Sequence, residues 1–350
     1  MQAGGCLTRG SLRAILLRIV LLKGLVVHAL PTAAAVLIAS LVCQGAALSQ
    51  ESYPSKPLRI IVPYAAGGGI DILGRTIGQQ LAERWKQPAV VDNKPGASGA
   101  IGTELAARAA PDGYTLLMSV NTMVIVPSMG KKVPYDPVRD FAPVAPVALG
   151  SMALVVPAST NIRSVADLIA AARQAPGKLN YASPGSGTPH HLDMELLKQR
   201  AGISLVHVPY KGSDGMLTAA LSGQIDAAFI PIHQALPGVQ AGKLIMLSSG
   251  GSRRSIATPS VPSLSEAAHI DDIDVDVWYG LYLPAGTPAA IVEKLNAEVN
   301  AILKLPQVVA ALERQGLVAT GGTPEELATL TRTDGERWAK VIREAKLAEQ

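Results

Sequence analysis

The sequence predicts an α/β fold of two doubly wound units joined by a two-segment hinge, and three observations predict it. Apolar strand-like runs alternate with amphipathic helical runs, the same alternation restarts in mid-chain, and each unit opens with a strand, a glycine-rich loop and a helix. In the first unit "LRIIVPY" (58–64) is a continuous apolar strand. "IDILGRTIGQQLAERW" (70–85) places Leu73, Ile77 and Leu81 on one helical face. "PAVVDN" (88–93), "GAIGTELAARAA" (99–110) and "YTLLMSV" (114–120) read as strand, helix and strand, so a parallel sheet covered on both faces is expected.

The second unit begins after "LVVPAST". Ser164 and Asp167 form a capping box for a helix through Arg173. Then follow strand 179–183, a glycine loop, a helix from Pro189 to Gln199, strand 204–210, a helix over 213–221 that stops at Gly223, and strands 225–231 and 243–249. The C-terminal part reads as strand 275–284 and three helices, started by Thr287-Pro288, by Pro306 and by the capping box Thr323 to Glu326. These amphipathic helices need a sheet to cover, and the first unit has fewer helices. The expected division is therefore residues 50–152 with 271–350 as one domain and 153–270 as the other, with a cleft between them.

Residues 1–49 read as an export signal. They carry Arg9, Arg13, Arg18 and Lys23 and no acidic residue, an apolar core over 33–43, and small residues before a cut after Ser49. The net charge of +4 resides wholly in this segment, since the remainder has 27 basic and 27 acidic residues. No basic patch remains, which excludes nucleic acid as the partner. Both cysteines, Cys6 and Cys43, fall in the same segment, so the mature chain has no disulfide, thiol nucleophile or thiolate metal site. An exported chain without disulfides fits a bacterial periplasm.

The chemistry concentrates at two loops. "PYAAGGGID" (63–71) lacks the Lys-Ser/Thr ending of a nucleotide P-loop and is not G-x-G-x-x-G. What remains is a turn whose N–H groups, with the positive end of a helix dipole, hold a small anion. Asp71 reads as an N-cap paired with Arg75, or as a contact to a ligand amine or hydroxyl. "ASPGSGTPHHL" (182–192) repeats the device, with Gly185 and Gly187 freeing the backbone and Ser186 and Thr188 supplying hydroxyls. Two anion nests facing one cleft suggest a ligand with two anionic ends, or one carboxylate and a polar end. His190 and His191, adjacent and about 100° apart on a helix, are wrong for chelating one metal and read as core or capping residues. No G-x-S-x-G is present. Tyr210 and Lys211 in "VPYKGSDG", and Asp226, are candidates for the cleft or for structural use.

The blocks "YPSKPLRIIVPYAAGGGIDILGR", "VVDNKPGASGAIGTELAARAAPDGYTLL", "GSGTPHHL", "VPYKG", "SGQIDAAF" and "WYGLYLPAGTP" resemble the Bug family, the periplasmic solute-binding receptors of tripartite tricarboxylate transporters. The resemblance spans nearly the whole chain after Tyr53. It implies a type II periplasmic-binding-protein fold closing over a small carboxylate: a monomeric, periplasmic binding protein, not an enzyme, with no cofactor and no metal. The implied ligand is a di- or tricarboxylate, an aromatic acid or an amino acid, and the implied partner is a set of membrane transporter subunits. Carried onto this sequence, it points to Tyr64, Ala66, Gly67, Gly68, Gly69 and Asp71 in the first loop. In the second it points to Ser183, Gly187, Thr188 and His191, with Tyr210 and Asp226 nearby. The alternatives are a ligand-sensing subunit for a membrane kinase and a carboxylate-processing enzyme using His191 and Asp71.

Overall fold

The computed structural model describes residues 53–130, 132–271, 273–345 and 347; the expected export segment and its cut after Ser49 lie outside the described residues. In chain order the first elements are β1 (Leu58–Val62), α1 (Gly69–Trp85), β2 (Ala89–Asn93), α2 (Ala100–Ala107), β3 (Thr115–Val120), α3 (Thr122–Ser128), β4 (Phe141–Gly150) and β5 (Met152–Pro157). Next come α4 (Val165–Gln174), β6 (Asn180–Ser183), α5 (Pro189–Ala201), β7 (Val206–Pro209), α6 (Ser213–Leu221), β8 (Ala227–Pro231), α7 (Ile232–Gln240), β9 (Leu244–Ser249) and α8 (Leu264–Ala268). The chain ends with β10 (Val277–Pro284), α9 (Ala289–Leu303), α10 (Pro306–Glu313), β11 (Leu317–Ala319) and α11 (Pro324–Glu344).

The strands form a six-stranded sheet of order β11-β4-β10-β3-β1-β2 and a five-stranded sheet of order β7-β6-β8-β5-β9. Strands linked through a helix run parallel, as a crossover requires: β1 with β2 and β3, and β6 with β7 and β8. The other half of each sheet is antiparallel. β10 inserts between β3 and β4 against both, and β5 runs against β8 and β9. Each sheet is thus mixed, where continuous apolar strands suggested parallel pairing throughout.

α1 shows how the sequence sets its own packing. Ile70, Leu73, Ile77 and Leu81 recur at helical spacing and are buried against the sheet, and Lys86 ends the helix in the left-handed region. β4 has no strand-like signature, because Pro143 and Pro146 argue against a paired strand. Its partner β11 covers only Ala148–Gly150, so β4 is an edge at both prolines. On the other side, the register with β10 shifts between Tyr279 and Gly280 and between Leu281 and Tyr282, opposite those prolines. β10 is anchored to α11 by Trp278, whose Nε1 donates to Asp334 at 2.7 Å, and by Tyr282 with Thr331 at 2.7 Å. The chain passes from one sheet to the other through Ser151 alone and returns through residues 250–276.

Candidate functional site

The first glycine loop joins β1 to α1. Gly67 has φ +91°, a conformation glycine adopts without steric cost. Its N–H donates to Asp71 Oδ2 at 2.9 Å. The N-cap is Gly68, and Asp71 is the third helical residue, its carboxylate reaching back over the turn. Arg75 Nε donates to the same carboxylate at 3.0 Å and Asn93 Nδ2 at 2.9 Å, while Asn93 also donates to the Tyr64 carbonyl at 3.0 Å. Burial alone would raise the Asp71 pKa; the bonds from Arg75, Gly67 and Asn93 outweigh it and hold the carboxylate below its ordinary range. Asp71 is therefore a buried anion that shapes the loop from behind. Among the described residues, no acceptor is bonded to the N–H groups of Gly68, Gly69 or Ile70.

The second loop, between β6 and α5, repeats this construction. Gly187 has φ +78°, and its N–H donates to His191 Nδ1 at 3.1 Å, so His191 occupies the place of Asp71. Thr188 is the N-cap and Pro189 the first helical residue. His191 is buried and stacks on His207 at 4.1 Å, which stacks in turn on Tyr181 at 4.9 Å. Ser183 Oγ lies 2.6 Å from His207 Nε2. Burial first, then the neighbouring His207 and Lys198, lowers the His191 pKa to about 3, so the ring is a neutral acceptor.

A cavity of about 420 Å³ opens between the two loops. Of the sequence candidates, Tyr64, Gly68, Gly69 and Thr188 line it. Tyr64 is hydrogen-bonded to Thr122 and donates to the Ser98 carbonyl at 3.3 Å, and burial pushes its phenol up to about 12. Asp71, Ser183, Gly187 and His191 are buried behind the lining as supports, while Gly67 is exposed on the loop with its N–H turned to Asp71. Ala66 is exposed in the first loop without lining the cavity. Tyr210 packs against the core of the five-stranded sheet. Asp226 accepts the Asn180 N–H at 2.7 Å at the start of β6 and β8, the sheet end opposite the loops.

The structure adds groups that the sequence reading passed over. Asn93 completes the Asp71 cluster. Tyr279 of β10 brings its hydroxyl to 4.0 Å from where a Cβ on Gly69 would lie, and it has no hydrogen-bond partner among the described residues. His190, set aside as core or cap, lines the cavity with both ring nitrogens unpartnered, and burial lowers its pKa to about 4. Ser98, in a left-handed turn at φ +56°, and His233 and Gln234 of α7 complete the rim. A strand end facing a cleft from across the sheet leaves no local sequence signal, which is why strand 275–284 was legible but the site role of its Tyr279, and helix α7 altogether, were not.

Two α/β lobes with matched glycine loops over one cavity define the class of periplasmic solute-binding proteins, and similarity to known proteins agrees. The sequence profile of the tripartite tricarboxylate transporter family receptor matches residues 73–347. Protein BugT of Bordetella pertussis (strain Tohama I) is 32% identical over 302 residues, 86% of this chain and 92% of BugT. A solved structure described as a periplasmic transporter is 38% identical, with TM-score 0.74 over 83% of this chain and 98% of that one. An R. palustris protein solved with adipate is 31% identical, with TM-score 0.74 over 84% of this chain and 99% of that one. The chain belongs to the tripartite tricarboxylate transporter receptor family.

Proposed function

We propose that this chain is an extracytoplasmic solute-binding protein that captures a small carboxylate in the cavity and delivers it to a tripartite tricarboxylate-type membrane transporter. The observation that carries the reading is the run of unpaired N–H groups at Gly68, Gly69 and Ile70, at the positive end of a 17-residue helix and on the cavity wall. Such dipoles hold a carboxylate without a buried cation, which suits a protein that must release its cargo. The adipate complex of the R. palustris relative supports the ligand class.

The same geometry speaks against catalysis by His191 and Asp71: both are buried, and both are engaged in holding their loops. The reading takes 50–152 with 271–350 and 153–270 as the two lobes that close on the ligand, and places the mature protein in the periplasm as a monomer. A thermal-shift panel of small carboxylates tests it. One or a few should stabilise the protein in proportion to ln(1 + [L]/Kd), about 2.7 kcal/mol at 100 Kd. Stabilisation only by nucleotides, sugars or metals would overturn it.

A further inference from the structure

We propose that the Tyr279 hydroxyl is a side-chain donor to the ligand's carboxylate, completing the group of N–H donors that the first loop presents. This rests on the carboxylate reading above and deepens it. Alternation along β10 puts Tyr279 in place. Trp278 turns to Asp334 of α11, and Gly280 lies against Leu327 of the same helix, whereas Val277 and Tyr279 face the cavity. Across the sheet Tyr279 pairs with Val120 of β3, another lining residue. Its ring rests on Gly150, where a Cβ would stand 3.2 Å from Tyr279 Cε2 and 3.6 Å from the hydroxyl oxygen. The same oxygen is 4.0 Å from the Cβ position of Gly69, beside the turn whose N–H groups at Gly68, Gly69 and Ile70 have no acceptor.

A tyrosine hydroxyl inside a protein ordinarily finds a partner, and the other tyrosines of the interior have theirs. Tyr64 is bonded to Thr122 and Tyr181 to Glu195, Tyr135 donates to the Met123 carbonyl at 3.2 Å, and Tyr282 lies 2.7 Å from Thr331 Oγ1. Tyr279 has no partner among the described residues, and its oxygen is open to the cavity. Burial first, and then the neighbouring Tyr64, pushes its phenol up to about 12, so the group keeps its proton and can donate. All four donors stand on β10 or at the start of α1, elements of the six-stranded sheet and its cover. They therefore meet the carboxylate whatever body the acid carries.

Tyr279→Phe keeps the ring and removes only the hydroxyl. Titration calorimetry on parent and variant tests the proposal, with adipate, malate, benzoate and terephthalate alongside the acids of the thermal-shift panel. Each acid that the parent binds should lose affinity by about tenfold or more, as when a charge-assisted hydrogen bond is removed, and by a similar factor from acid to acid. The unfolding midpoint without ligand should be unchanged, because the hydroxyl gives up no partner within the protein. Undiminished affinity, or a loss confined to acids of one kind of body, overturns the proposal and leaves the carboxylate reading standing. A lowered midpoint would place the hydroxyl's bond inside the protein and overturn it too. A parent that binds no carboxylate at all overturns both.

Discussion

At Gly68 the account becomes testable on a single atom. The residue has φ −78° and ψ 165°, values that any L-residue adopts, and a Cβ there would meet nothing within 4 Å. The open space is the cavity itself. Gly68→Val should therefore lower the unfolding free energy by no more than about 1 kcal/mol, the cost of a poorer N-cap on an unstrained backbone. It should nevertheless abolish acid binding, because the new methyl groups occupy the carboxylate's place. Denaturant unfolding and titration calorimetry on the same sample check both halves, and undiminished binding would move the site elsewhere. Gly67 is a different case: at φ +91° a side chain is strained whatever the space, so loss of binding there would not separate site from fold.

The two loop-to-helix joints show how much was legible in the sequence. Gly67–Gly69 and Gly185–Thr188 announced themselves, because glycine clusters between a strand and a helix have few other uses. The roles within them did not. Asp71 and His191 do the same task, each accepting the N–H of a left-handed glycine four residues earlier, yet a carboxylate and an imidazole share no sequence signature. Capping was legible where it is local: Thr323 and Glu326 exchange both bonds, at 3.2 and 2.8 Å. The Ser164 box is one-sided, since Asp167 turns to the Arg163 N–H instead. β4 stayed hidden because its prolines are tolerated only through a short neighbour and a shifted register, both tertiary facts.

His190 gives the second joint a pH dependence. Its ring is neutral in the fold, with a pKa lowered by burial to about 4, while in the unfolded chain it takes up a proton below about 6.5. Its contribution to stability is thus present above pH 6.5 and lost as pH falls toward 4, at up to about 1.4 kcal/mol per pH unit. Neither ring nitrogen has a partner to lose. His190→Leu should therefore unfold like the parent at pH 7.5 and become progressively more stable than it between pH 6 and 4. A constant difference across that range would contradict the assignment.

Across the whole molecule, the two segments that cross between the sheets meet at Ser151 and Asp276, whose carboxylate is buried near Ser151 and the Gly251 and Met152 backbone with Oδ1 lacking a hydrogen-bond partner among the described residues. Burial, and then the nearby Asp274, pushes the Asp276 pKa up to about 7 against the opposing pull of Ser151 and the neighbouring backbone N–H groups. A raised carboxylate contributes stability that is full below about pH 4 and declines as pH rises through 7. Asp276→Asn keeps an acceptor and discards the charge. It should match the parent near pH 4 and exceed it above pH 7, read as the difference in unfolding midpoint at the two pH values. An equal or lower midpoint at pH 8 would place the charge outside the crossing.

The central claim is that backbone N–H groups, not a charged side chain, hold the ligand, and amide chemical shifts report on it directly. In ¹⁵N–¹H spectra titrated with the carboxylate that the thermal-shift panel selects, the amides of Gly68, Gly69 and Ile70 should move strongly to lower field as they gain an acceptor. The Gly67 amide, already bonded to Asp71, should move least of the loop. Saturable binding of the acid with those three amides unmoved would contradict the account.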